Sequence, residues 1–225
     1  MREIFHMELK QVGSDLRLMA GYVAAAMEKA TEALATGDLM LAEQVIDSDE
    51  RINDLHRSLD EFCISLLARQ APVAADLRLV VAAMRMSQTL ERMGDLARHV
   101  ASIARGRYPQ AAVDADVLDL LVKMGRQASA VARRVIELVD TKDLSIAAEI
   151  AREDDVLDQL HRQTFQYALN DDHQMTRQQV VDTVLLGRFL ERFGDHAVSL
   201  AHRVSYLVTG QLTAQVETEV VASAD

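Results

Sequence analysis

The chain has 225 residues, 49% of them hydrophobic, which is enough for one large domain or two small ones with a packed core. Its formal net charge of −11 argues against a general nucleic-acid binder, because such a protein needs a basic face to neutralise phosphates. The lone cysteine, Cys63, excludes an intramolecular disulfide framework. No apolar run is long enough to span a membrane, so we expect a cytoplasmic protein.

The first half of the sequence predicts three long helices. Apolar residues recur at three- and four-residue steps from Phe5 onward, which is the spacing of one helix face. The first helix should end near Gly37, and Asp38 should cap the second, because glycine suits a helix end and aspartate suits a helix start. Pro72 lies near the first turn of the third helix. The predicted helices cover about residues 5–36, 39–69 and 72–104.

The second half repeats this plan after Gly106-Arg107-Tyr108-Pro109, the strongest break in the chain. With Thr176 as the cap of the last one, the predicted helices cover about residues 114–139, 144–169 and 176–208. We therefore predict an all-α fold of six long helices, arranged as two tandem three-helix bundles at 1–107 and 110–210. Residues 211–225 form an acidic segment with few large core residues, which is predicted to be disordered.

Both halves carry the same acidic pattern. Six of the eight residues in 90–97 recur 100 positions later, including the whole of Glu-Arg-x-Gly-Asp. Within a helix, Glu91 and Asp95 are one turn apart on one face, and so are Glu191 and Asp195. A chain that repeats an acidic pair at matching places in both halves is predicted to build two similar sites, and paired carboxylates attract hard metal ions.

The second helix of each half adds polar side chains at matching places, 105 positions apart. If the second and third helices of one half are neighbours, these side chains face the acidic pairs. Clustered like charges repel by several kcal/mol, so either a cation or an arginine must neutralise them. The candidate metal ligands are Asp49, Glu50, Asn53, Glu91, Asp95, Asp154, Asp155, Asp158, Glu191 and Asp195.

The ligand types limit the identity of the ion. Oxygen-rich sets suit magnesium, manganese or iron, and zinc becomes an option if His56 or His161 takes part. The alternative interpretation is a solvated helix face with local ion pairs, for example between Asp95 and Arg98. Repetition of the pattern in both halves favours the metal site over this alternative.

Motifs of catalysis are missing from the sequence. It contains no phosphate-cradling glycine-rich loop, no Gly-x-Ser-x-Gly and no His-Glu-x-x-His. No nucleophile–base pair is indicated either, so we predict that the protein is not an enzyme.

The chain resembles the PhoU family, the phosphate-uptake regulators. The resemblance is carried by Asp49-Glu50-x-Ile52-Asn53, by Gln70-x-Pro72-Val73-Ala74-x-Asp76-Leu77-Arg78, and by both copies of Leu-Glu-Arg-x-Gly-Asp. Asp195-His196 after the second copy also fits, and the resemblance spans about residues 3–210. The second half departs from the pattern, because Arg177-Gln178-Gln179 stands where the first half has its Gln-x-Pro-Val-Ala segment.

This resemblance implies a fold, a site and a function. It implies two three-helix bundles that carry metal ions or clusters on one surface through their Glu/Asp-x-x-x-Asp motifs. It also implies a cytoplasmic, often dimeric, negative regulator of the phosphate response, which links a phosphate ABC transporter and its ATPase to a sensor histidine kinase. No nucleic acid is an expected partner, and contact with the membrane is expected only through partner proteins.

Three hypotheses follow for the function. The first is a metal-binding regulatory adaptor of phosphate uptake and signalling that acts by binding partners. The second is a carboxylate-bridged metal hydrolase or oxidase, which would need an open metal position with a nucleophilic water. The third is a helical scaffold without metal.

Overall fold

The computed structural model describes residues 2–170 and 173–210, which form six helices and no strand. The prediction of an all-α fold with two repeated three-helix units is confirmed. The segment predicted to be disordered, 211–225, lies outside the described residues. The helices are α1 (Arg2–Thr36), α2 (Leu39–Gln70), α3 (Ala74–Arg107), α4 (Ala115–Thr141), α5 (Leu144–Ala168) and α6 (Arg177–Thr209).

Most helix ends follow the predicted signals. Asp38 caps α2 by accepting a hydrogen bond from the Leu41 backbone N–H, and Gly37 has φ of +68°, which glycine adopts without steric cost. Thr176 caps α6 as predicted. The start of α3 differs from the prediction, because Val73 has an extended backbone (φ −125°, ψ 158°) and the helix begins only after it, two residues beyond Pro72.

Four helices form the centre of the molecule. α1 and α3 pack against each other, α4 and α6 do the same, and the two pairs join through contacts of α1 with α4 and of α3 with α6. α2 packs on α1 and α3, whereas α5 packs on α4 and α6. One hydrophobic core runs through residues of all six helices. The division into two bundles at residues 1–107 and 110–210 stays a prediction.

The packing places each half's acidic residues on two adjacent helices, α2 with α3 and α5 with α6. No helix in residues 2–170 and 173–210 combines the length and the apolar character that crossing a membrane requires.

Candidate functional site

The first acidic site lies between α2 and α3. We call Asp49, Asn53, Glu91 and Asp95 the N-terminal cluster. Asp49 is buried, the other three are half-buried, and the Asn53 side-chain amide donates a hydrogen bond to Asp49 Oδ2 at 3.3 Å. Gly94 lies opposite Asp49 on α3, and a β-carbon there would come within 2.9 Å of the Ile52 side chain. The absence of that carbon lets the two helices approach each other closely at the cluster.

An arginine neutralises the N-terminal cluster. Arg98 Nε lies 3.0 Å from Asp49 Oδ2, and Arg98 Nη2 lies 2.8 Å from Asp95 Oδ1. Burial raises the pKa of Asp49, while the Arg98 charge opposes that rise. The pairing of Asp95 with Arg98 is the alternative that the sequence left open, and the structure extends it across the helix pair to Asp49.

Two neighbours of the N-terminal cluster have other partners. Glu50 is exposed and pairs with Arg57 at 2.8 Å, so the structure does not bring it to the cluster. His56 Nδ1 lies 2.9 Å from the Ser87 hydroxyl. Burial raises the pKa of Glu91, and the charges of Arg92 and then His56 only partly oppose that rise. Adjacent helical residues point about 100° apart, which explains why Asp49 faces inward and Glu50 does not.

The second acidic site lies between α5 and α6. We call Asp154, Asp158, Glu191 and Asp195 the C-terminal cluster. Burial is the main cause that raises the pKa of Asp154 to about 7, followed by repulsion from Asp195, Asp158 and Glu191. Within the part of the chain that the structure describes, the buried Oδ1 of Asp154 accepts no hydrogen bond. It lies against Gly194, where a β-carbon would overlap it.

Glu191 is the most enclosed member of the C-terminal cluster, with 9% of its surface exposed. Both of its carboxylate oxygens lie 2.6 Å from Nη1 of Arg188, one turn earlier on α6. His161 Nδ1 on α5 lies 3.9 Å from Glu191 Oε1. Burial and then Asp195 raise the pKa of Glu191, so the Arg188 charge only partly offsets the crowding. Asp155 is exposed, and its charge makes a smaller contribution to the raised pKa of Asp154.

The two clusters differ in how well they suit a metal ion. Among the residues that the structure describes, no three His, Cys, Asp or Glu side chains converge closely enough, as placed, to hold an ion. The C-terminal cluster nevertheless has the right chemistry, because it gathers hard oxygen donors around a buried carboxylate oxygen without a hydrogen bond. In the N-terminal cluster Arg98 already bonds Asp49 and Asp95, two of the three carboxylates, so the arrangement does not fit a metal ion. Metal binding by the predicted ligands stays a prediction.

Sequence reasoning missed an ion pair that joins the two halves. Asp182 on α6 is 1% exposed, and its two oxygens lie 2.6 Å and 3.0 Å from Nε and Nη2 of Arg107 at the end of α3. Gln178 donates a further hydrogen bond to Asp182. The partners are 75 residues apart, and no local spacing in the sequence connects them.

Comparison with known proteins gives consistent matches along the chain. The family model described as PhoU domain matches residues 16–104 and 121–204. The phosphate-specific transport system accessory protein PhoU homolog 2 of Mycobacterium tuberculosis is 44% identical over 210 residues, which are 93% of this chain and 99% of that protein. A PhoU homolog of Pseudomonas putida is 32% identical over 98% of this chain and 90% of its own length.

Two solved structures have the same fold. The crystal structure of PhoU from Pseudomonas aeruginosa has a TM-score of 0.81 and 32% identity, and covers 92% of this chain and 100% of its own. The crystal structure of the phosphate transport system regulatory protein PhoU from Streptococcus pneumoniae has a TM-score of 0.83 and 26% identity, with 93% and 99% covered.

Proposed function

Since the chain belongs to the PhoU family, we propose that it is an accessory protein of phosphate transport that negatively regulates phosphate uptake and the phosphate-starvation response. The observation that carries this proposal is the 44% identity with an accessory protein of the phosphate-specific transport system, over nearly the full length of both chains. In this proposal the protein is not an enzyme. It links the ATPase of a phosphate ABC transporter to a sensor histidine kinase by binding both.

Exposed apolar side chains at the start of α3 support a role in partner binding. Val73 is 74% exposed and Leu77 is 41% exposed, and both belong to the Gln70–Arg78 segment that carries the family resemblance. Exposing large apolar side chains to water is unfavourable in free energy, and a partner surface that covers them removes this exposure. We therefore place one partner contact at this segment. A cytoplasmic location, where the reduced Cys63 would persist, is part of the proposal.

A homodimer is also part of the proposal. On α1, Leu18 and Tyr22 are large apolar side chains with 48% and 37% exposure, one turn apart. Gly13 and Gly21 lie along the same helix, and a β-carbon at either would meet no atom within 4 Å. Sedimentation of the purified protein at several concentrations tests the dimer, and a monomer at all of them contradicts it.

The third part of the proposal is a bound divalent or trivalent metal ion, either magnesium, manganese, iron or zinc. Asp154, Asp158, Glu191 and Asp195 would hold it, with His161 as a nitrogen donor for zinc. The ion supplies positive charge that neutralises these carboxylates. The chain's own contribution is to hold the four carboxylates on two adjacent helices and to keep water from Asp154 Oδ1 by burying it against Gly194.

The partner contact is tested with the purified transporter ATPase and the kinase. Binding of the full chain to each should weaken at least tenfold when Val73 and Leu77 are both replaced by Asp, because two charges then lie in the apolar contact. Met40→Asp is the matched control, since Met40 is 71% exposed and lies at the other end of α2. Absence of binding to either partner, with and without metal, contradicts the adaptor role.

Turnover of a phosphoester by the metal-loaded protein contradicts the assignment as a non-enzyme.

A further inference from the structure

The internal repeat has one informative mismatch next to its acidic pairs. The aspartates Asp95 and Asp195 stand 100 positions apart, and three residues later Arg98 in the first half corresponds to Val198 in the second. Val198 is partly buried and packs against the hydrophobic core. At this position the first cluster therefore has a positive charge on α3, and the second has none on α6.

Arg98 occupies the place of a shared cation in the N-terminal cluster. Its guanidinium contacts Asp49 on α2 and Asp95 on α3, at 3.0 Å and 2.8 Å, and so joins the two helices through their carboxylates. Guanidinium is permanently charged and donates several hydrogen bonds in one plane, which satisfies carboxylate oxygens without a metal. A second cation between the same oxygens would be repelled by the first.

The C-terminal cluster has no such bridge at the equivalent position. Valine has no charge and no hydrogen-bond donor in its side chain. Two arginines contact members of this cluster on their own helices: Arg188 lies 2.6 Å from Glu191 on α6, and Arg162 lies 3.9 Å from Asp158 on α5. Neither of these two pairs joins α5 to α6. Gln88 stands at the position equivalent to Arg188 in the first half. In the described residues no donor reaches Oδ1 of Asp154 on α5.

We propose that Arg98 replaces the metal ion in the first half of the repeat, so that metal binds to the C-terminal cluster alone. This inference rests on the metal binding proposed above. The two halves then differ in what holds their outer helix. In addition to the shared hydrophobic core, a permanent side-chain charge links the acidic residues of α2 and α3, whereas a metal ion links those of α5 and α6. Metal depletion would loosen the second half and leave the first half unchanged.

This proposal is tested in the full chain by moving the positive charge between positions 98 and 198. Mn²⁺ and, separately, Zn²⁺ are titrated calorimetrically into metal-free protein, with bound metal counted by elemental analysis. Asp154→Asn with Asp195→Asn should abolish binding, and Asp49→Asn with Asp95→Asn should leave the stoichiometry unchanged. Val198→Arg should also abolish binding, because it supplies the second cluster with the charge that Arg98 gives the first.

The reverse exchange should create a site. Arg98→Val should raise the number of bound ions above that of the wild type, and added Mn²⁺ should restore the thermal stability that this variant loses in EDTA. Hydrogen exchange gives an independent readout, since EDTA should raise exchange in α5 and α6 but not in α2 and α3. Circular dichroism confirms that each variant is folded.

The possible results separate this inference from the proposed function. A wild type that binds neither ion overturns the metal part of the proposed function and this inference with it. Loss of binding through the Asp49 and Asp95 substitutions, or retention of binding in a folded Val198→Arg variant, overturns this inference alone and leaves metal binding in place.

Discussion

Arg98 on α3 and Asp49 on α2 are joined by an ion pair of 3.0 Å between Nε and Oδ2. The pair is partly shielded from solvent, because Asp49 is buried and about a third of the Arg98 side chain is exposed. Removing one partner of such a pair leaves the other buried without compensation, and that costs more than the pair contributes. The ion pair therefore offsets the free-energy cost of burying the Asp49 carboxylate between the two helices.

Arg98→Ala should lower the free energy of unfolding by about 1–3 kcal/mol, because Asp49 then keeps its charge without its closest cation. Urea denaturation in EDTA measures this loss. In an Asp49→Asn background the same Arg98 substitution should cost at least about 1 kcal/mol less, since no buried charge is left unpaired. Equal costs in both backgrounds would show that the two side chains are not coupled.

The Arg107–Asp182 pair should be among the strongest polar contacts between the halves. Arg107→Ala leaves a carboxylate that is 1% exposed without its bidentate partner, so we expect a loss of about 2–4 kcal/mol in the free energy of unfolding. Asp182→Asn should cost less, because the Arg107 side chain is about one-third exposed and can be hydrated. Urea denaturation checks both variants. A loss below about 0.5 kcal/mol for Arg107→Ala would contradict a structural role for the pair.

The sequence predicted the helices better than it predicted their mutual contacts. Local signals such as the Asp38 and Thr176 caps depend on a few neighbouring residues, and both are present. Pairing of Arg107 with Asp182 depends on how α3 and α6 are rotated and shifted against each other, which local periodicity does not specify.

The sequence predicted which helices carry the candidate site, but it did not predict which of their acidic residues face each other. Matching offsets correctly placed Asp49 beside Asp95, and Asp154 near Asp195, on adjacent helices. The same offsets also included Glu50. Because Glu50 is the next residue after Asp49 on α2, its side chain points about 100° away, toward solvent and Arg57.

Gly194 should be intolerant of a side chain. Gly194→Ala would place a β-carbon onto Asp154 Oδ1 and within 2.8 Å of the Leu157 side chain, so helix α5 must shift or these side chains must leave their positions. We expect a loss of about 1–3 kcal/mol in the free energy of unfolding. Gly13→Ala on α1 is the matched control, since it meets no atom within 4 Å and should stabilise by about 0.5–1 kcal/mol through helix propensity. Thermal and urea unfolding of both variants check the opposite signs.

The Cys63 thiol should be unreactive in the folded protein. Burial, followed by the charges of Asp60 and Asp15, raises the pKa of this thiol from 9.0 to about 11. The thiolate is the reactive form, so a rise of this size lowers its population at pH 8 by about 100-fold, and burial also blocks the reagent. Iodoacetamide labelling followed by mass spectrometry should be slow in native protein and fast in guanidinium. Similar rates in both conditions would contradict burial of Cys63.

Stability of the metal-free protein should fall as the pH rises from about 4 to 7, in part because of Asp154. Its pKa is raised from 3.8 in the unfolded chain to about 7 in the folded one, so over this range the folded state binds the extra proton. The stability associated with that proton is fully present below the unfolded pKa and is lost as the pH passes the folded pKa. Asp154→Asn removes the titration and should raise stability at pH 8 by about 1–2 kcal/mol, after allowance for partial screening by solvent.

Urea unfolding in EDTA at several pH values measures this effect. The difference between Asp154→Asn and the wild type should be small or reversed at pH 4 and should grow in favour of the variant toward pH 8. Asp47→Asn is the control, because it removes one exposed carboxylate on α2, which packs on α1 and α3 and not against the C-terminal cluster. A pH-independent difference for Asp154→Asn would mean that the carboxylate titrates alike in the folded and unfolded chains, and that the crowding of the C-terminal cluster does not reach it.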